Sequence, residues 1–220
     1  SSLTLGSTTN TTAGDTIVLV AGDGGGAYVT GATDTKGNTY YVDTYTNSQY
    51  TITVLHAYLA TALVAGDTIT VTTTSGVPET LIATEYSGIA QNSAVDVATS
   101  VHLSSTTTGT AEVETTDSSD ILVAAVSVYG TQTLTTPAGY QLRTTSDADN
   151  SSAMADETPG VSNEEVSAAW NWTTSTNAAV ALVAYEPGSG SVGGGGGGGG
   201  GGDGGYSITL TANTISPGSG

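Results

Sequence analysis

The sequence predicts an all-β protein, an antiparallel β-sandwich of jelly-roll or immunoglobulin-like kind, on three observations. Apolar and polar residues alternate with period two through most of the chain, and helical spacing is nearly absent. The alternating segments are rich in Val, Ile, Thr and Tyr, whose branched or flat side chains suit a pleated, half-buried surface. Turn signals built on Gly, Asn and Pro recur between them at short, roughly regular spacing.

The elements follow in chain order. Residues 1–12 form an N-terminal arm, read as the first strand, with an exchanged strand as its alternative. The strand candidates of the main domain, residues 13–187, are Asp15–Ala21, Thr39–Thr46, Tyr50–Leu59, Asp67–Thr74, Thr80–Tyr86, Asp120–Tyr129, Val166–Trp172 and Ala178–Tyr185. Between them, Ala13-Gly14-Asp15, Lys36-Gly37-Asn38, Ala65-Gly66-Asp67, Ser75-Gly76-Val77-Pro78, Pro137-Ala138-Gly139 and Thr158-Pro159-Gly160 read as turns. The only helical candidate is a short turn over Tyr58–Val64. A weak internal duplication relates residues 13–88 to 119–188: Gly14-Asp15 and an apolar strand open the first, Ser119-Asp120 and an apolar strand the second. Leu81–Gly88 closes one and Ala181–Gly188 the other. The domain is long enough for one two-sheet core and has no linker-like break inside.

Residues 188–205 are nearly pure glycine, with an unbroken run from Gly193 to Gly202, the composition of a flexible tether. Beyond it, in residues 206–220, Tyr206, Ile208, Leu210 and Ala212 share one face of a strand, Ser207, Thr209 and Thr211 share the other, and Ile215 follows before Pro217. An amphipathic strand alone cannot satisfy its ladder groups. It folds back on its own domain, opens a further domain, or adds to a sheet edge of a second copy. Repeated head to tail, that last contact does not close and generates a filament. Fully extended, the tether spans ~45 Å or more, enough for a neighbour or for self-closure.

Composition narrows the function. There are 20 acidic and 2 basic side chains among 220 residues, a formal charge of -18. Such a surface repels phosphate backbones and leaves no basic footprint for nucleic acid. No apolar run approaches the ~20 residues of a membrane span, so no membrane insertion is expected. Cysteine is absent, which removes disulfides, thiol nucleophiles and Cys zinc sites. Lysine poverty with abundant Thr, Ser, Gly and Tyr fits an extracellular, cell-surface protein, with a virion as the alternative. No basic, apolar leader opens the chain at Ser1, so any signal peptide is expected to have been removed already.

Chemistry-bearing residues are sparse. His56 and His102 lie outside any ligand or nucleophile spacing and read as packing or surface residues. Asp147/Asp149, Asp156/Glu157 and Glu164/Glu165 pair carboxylates in loop or strand-edge sequence, without the framing a glycosidase needs. Trp170 and Trp172 share a strand face near Glu164 and Glu165 and are the candidate sugar-binding residues, with half-buried packing as the alternative. No catalytic residue, cofactor or metal ligand is assigned; Asp147–Ser152, Asp23, Asp34, Asp117 and Asp120 are weak calcium candidates. Sequons at Asn10, Asn150 and Asn171 are candidate glycosylation sites.

The motifs Gly14-Asp15, Thr33-Asp34-Thr35-Lys36-Gly37-Asn38-Thr39-Tyr40, Glu85-Tyr86-Ser87-Gly88 and Ala184-Tyr185-Glu186-Pro187 make residues 13–187 resemble β-sandwich modules of phage structural proteins and prokaryotic surface proteins. The tether with its terminal strand is similar in logic to the donor-strand pili and threads of bacteria and archaea. Those families imply a non-enzymatic subunit that polymerises with itself outside the cell, with Tyr206, Ile208, Leu210, Ala212 and Ile215 as the donated residues. A phage tail, head-fibre or decoration protein is the alternative, and a carbohydrate-binding or adhesin module contacting host surface or glycans the third reading.

Overall fold

A computed structural model describes residues 2–4, 10–75, 80–147, 150–157, 164–188 and 207–210. Its strands are β1 (Ser2–Thr4), β2 (Thr16–Asp23), β3 (Val29–Asp34), β4 (Tyr41–Tyr45), β5 (Thr51–Tyr58), β6 (Thr68–Thr73), β7 (Thr80–Tyr86), β8 (Val95–Thr115), β9 (Ile121–Val128), β10 (Leu134–Thr135), β11 (Gln141–Asp147), β12 (Ser151–Glu157), β13 (Glu164–Tyr185) and β14 (Ser207–Leu210). Every pairing is antiparallel. No helix occurs among the described residues. Tyr58–Val64, expected as a helical turn, is the end of β5 and an irregular loop. Thr11 holds that loop by a hydroxyl donated to the Leu63 carbonyl, while Leu63 N–H donates back to Thr11 Oγ1.

The all-β sandwich is as the alternation predicts, but its layering is deeper than one two-sheet core. One sheet runs β14-β7-β2-β5-β4, and a second β11-β12-β9-β13, with β8 on the far side of β13. They face each other through Val18, Val20, Ile52, Val54 and Ile82 on one side and Val123, Ala125, Met154, Ala181 and Val183 on the other. The three-stranded sheet β1-β6-β3 covers the outer face of the first through Ile17, Leu19, Leu55, Ile69 and Val71. The outer face of the second is covered by its own continuation. Strands β8 and β13 bend, at Ser105 (φ 49) and across Asn171–Thr176, and their far halves fold back over Leu122, Ala124, Val126 and Leu182. Coverage on both faces explains why β2 (TIVLVAGD) is buried at every position, and β9 (ILVAAVSV) at all but its first, with near-continuous apolar sequence rather than alternation. Glycines at predicted turns take the positive φ that side chains resist, Gly14 at 99° and Gly139 at 90° among them.

The two halves share a pairing plan. Thr16 at the head of β2 pairs with Tyr86, and Ile121 at the head of β9 pairs with Tyr185. On the opposite side, β4 bulges between Val42 and Thr44 against β5, and β11 bulges between Leu142 and Thr144 against β12. The strand at the far edge differs in origin. In the second half it is β8, which runs directly into that half. In the first half it is β14, arriving from beyond the tether.

Candidate functional site

The edge of β7 is the first candidate. Ser207, Ile208, Thr209 and Leu210 pair with Tyr86, Glu85, Thr84 and Ala83. In the second half, Val95, Val97, Ala98 and Thr99 hold the matching places along Tyr185, Ala184, Val183 and Leu182. The correspondence extends outward: β8 packs against β4, and β14 packs against β11. The slot therefore belongs to the fold, and the second half fills it with the chain segment that precedes that half. In the first half the described residues before β2 contribute β1, which pairs with β6 as the far half of β8 pairs with the far half of β13. Of the candidate donor residues, Ile208 and Leu210 lie on β14; Tyr206, Ala212 and Ile215 are outside the described residues.

The path of the main chain into this slot is short. Gly188 N–H donates to the Gly88 carbonyl at 2.6 Å, and Ile89 bridges Pro187. Gly188 thus stands two residues past Tyr86, the partner of Ser207. Residues 189–206, which lie outside the described residues, connect two nearly adjacent points.

The second candidate lies at the opposite edge of the same sheet. The bulge in β4 leaves Asp43 out of the ladder and turns its carboxylate inward, where its side chain is 1 % exposed. Asp43 Oδ1 meets His56 Nδ1 at 2.5 Å, and Tyr185 donates its hydroxyl to Oδ2 at 2.6 Å. Burial, then the Asp43 charge, pushes the Tyr185 phenol well up, so it stays a donor. The His56 ring, held by this carboxylate, stacks on Tyr41 at 5.4 Å. Tyr41 is 57 % exposed. Beside it opens a cleft of about 590 Å³ lined by Tyr41, Val42, Asp43, His56 and residues 91–95. Farther along the edge, exposed Tyr45 stacks on Tyr28 at 4.7 Å.

The other half repeats the support without the aromatic. Arg143 occupies the bulge of β11 and forms a bidentate pair with Asp156, Nε to Oδ2 at 2.6 Å and Nη2 to Oδ1 at 2.7 Å. Tyr86 lies against this pair as Tyr185 lies against Asp43, its phenol pushed well up by burial and by Asp156. Where the first half exposes Tyr41 and Tyr45, the second exposes Gln141 and Thr145.

Trp170 and Trp172 are 0 % and 5 % exposed, inside the core beneath the curled ends of β8 and β13. That is a correction: a sugar cannot stack on a ring the protein already covers on both faces. Asn150 is also buried, its Oδ1 accepting from Gly130 N–H, so its sequon is closed in the folded chain, whereas Asn10 and Asn171 are exposed. Asp23 and Asp34 cap their own turns, Asp23 taking Gly25 and Ala27 N–H and Asp34 taking Lys36 and Asn38 N–H. Asp147 ends β11, while Asp149 is outside the described residues. No group of three His, Cys, Asp or Glu that could hold a metal comes together among the described residues. Asp120 is fully buried near Asp96, Asp117 and Glu186, and desolvation followed by Asp96 raises its pKa to about 7. The Tyr41 platform was not legible in the sequence, because Tyr40 and Tyr41 are adjacent and alternation alone does not say which one faces water.

Compared with protein-family models, curated proteins and solved structures, the chain matches none.

Proposed function

We propose that the protein is a non-enzymatic, extracellular structural subunit that polymerises by donating residues 206–215 to the β7 edge of the next copy. The observation that carries this reading is the mismatch between tether and gap. Eighteen residues, 189–206, join Gly188 to a strand whose pairing begins two residues from Gly188's own contact. A handful of residues closes that gap within one chain. The longer loop adds only about 1 kcal/mol of closure entropy, so self-closure is tolerated. Extended, however, the same residues reach about 60 Å, well beyond what self-closure requires. The shared plan of the two halves supports the direction of donation. The second half is completed by the segment that comes before it, and in a polymer the C-terminal strand of the previous subunit comes before the first half of the next. Chemically the slot offers backbone hydrogen bonds for affinity, and filling it removes an exposed sheet edge.

Electron microscopy and sedimentation of the full chain beside one ending at Gly190 test this. Filaments from the full chain alone, capped by a Tyr206–Gly220 peptide, are the expected result. Stable monomers from both would instead assign β14 to its own domain.

A further inference from the structure

We infer that the cleft beside Tyr41 is a binding site for a neutral oligosaccharide, with the Tyr41 ring as its stacking platform. The two halves provide an internal control. Each half has a bulge, a carboxylate hydrogen-bonded across it and a phenol reaching that carboxylate from the facing sheet: Asp43–His56 with Tyr185 in the first, Arg143–Asp156 with Tyr86 in the second. This support is present twice. The exposed aromatic beside the pair is found in the first half alone: Tyr41 stands where the second half has Gln141, whereas the aliphatic neighbour is kept as Val42 and Leu142.

Tyr41 is also held for use. Its inner face rests on His56, His56 is fixed by Asp43, and Asp43 by the buried Tyr185 hydroxyl, so the outer face is presented without conformational cost. The cleft falls within the usual size of ligand sites. Its chemistry selects the ligand class. No Lys or Arg lines it, and the molecule carries a charge of -18, so an anion is not stabilised. The single lining carboxylate, Asp43, is engaged by His56 and Tyr185, so no free charge waits for a cation. There remain a flat aromatic and the exposed amides of Gln91 and Asn92. That combination suits a pyranose, whose C–H face stacks on the ring while its rim hydroxyls hydrogen-bond. The site does not depend on polymerisation.

The test is a printed array of neutral oligosaccharides, followed by affinity electrophoresis of the full chain in gels containing the soluble neutral polysaccharides that score. Tyr41→Ala is expected to weaken retention at least about tenfold, the loss of one stacking ring, and Tyr41→Phe to retain it. Asn92→Ala, at an exposed position, should weaken it too, while Leu142→Ala in the other half should leave it unchanged. The inference is overturned if no neutral glycan binds the wild type, if Tyr41→Ala binds equally well, or if Leu142→Ala loses as much. Binding of choline in place of glycans would overturn it as well, by showing a cation site.

Discussion

At the scale of single residues, the buried polar groups make sharp predictions. Asp120 binds its proton up to about pH 7 in the folded chain, whereas the unfolded chain releases it near the ordinary 3.8. Between those values the native state holds more protons than the unfolded state, so this group's contribution to stability is complete below about pH 4 and is lost as pH rises toward 7. Asp120→Asn should therefore raise the melting temperature at pH 8 by several degrees and flatten the wild type's decline between pH 4 and 7; calorimetry across that range checks it. Trp170→Ala is expected to cost about 3–5 kcal/mol, the range for emptying a large core site, measured by denaturant unfolding. Removing an exposed sugar platform would have cost almost nothing. Arg143→Ala leaves the Asp156 carboxylate, largely shielded, without its partner and is expected to cost about 2 kcal/mol or more. In sequence, neither Arg143 nor Asp43 stands out; each gains its role from a bulge that aims it inward.

At the scale of elements, legibility followed coverage. Strands with clear alternation or continuous apolar runs, such as Thr80–Tyr86 and Ala178–Tyr185, were readable. The stretch Val95–Thr115 was missed: alternation is present at its two ends, as in Ala111-Glu112-Val113-Glu114, but the Ser- and Thr-rich middle interrupts it, and only pairing with β13 makes it one strand. Gly109 sits within the strand rather than at a turn: a Cβ there would meet Val180 Cγ1 at 3.0 Å and Trp172 Cη2 at 3.3 Å and would require the Leu103 side chain to move. The tether permits a prediction at the same scale. Deleting Gly193–Gly202 leaves enough chain for self-closure and shortens the reach, so filaments should disappear while the monomer melts no lower than the full chain. If the shortened chain still polymerises, the length of the glycine run is not what permits donation. Leu210→Asp should abolish polymers in the same assay, since it places a charge in the strand that pairs Ala83.

For the whole molecule, charge and symmetry dominate. Subunits carrying -18 repel one another, and the screening length shrinks from about 30 Å at 0.01 M salt to about 8 Å at 0.15 M. Polymerisation is therefore expected to strengthen with salt over that range, as light scattering or sedimentation would show; polymers that weaken with salt would point to an ionic contact the slot does not contain. The all-β class, the turns at Gly14, Gly37, Gly66 and Gly139 and the likeness of residues 13–88 to 119–188 are already legible in the amino-acid order, whereas the turns expected over 75–78 and 158–160 fall largely outside the described residues. The legible features follow from side-chain period, backbone freedom at glycine and composition, which are local properties. Packing in three dimensions is what stacks the two halves into four layers, encloses Trp170 and Trp172, turns Tyr41 to water and sets β14 on an edge filled elsewhere by β8. Each of those depends on which face of a strand meets another sheet, and period two distinguishes two faces without saying what covers either.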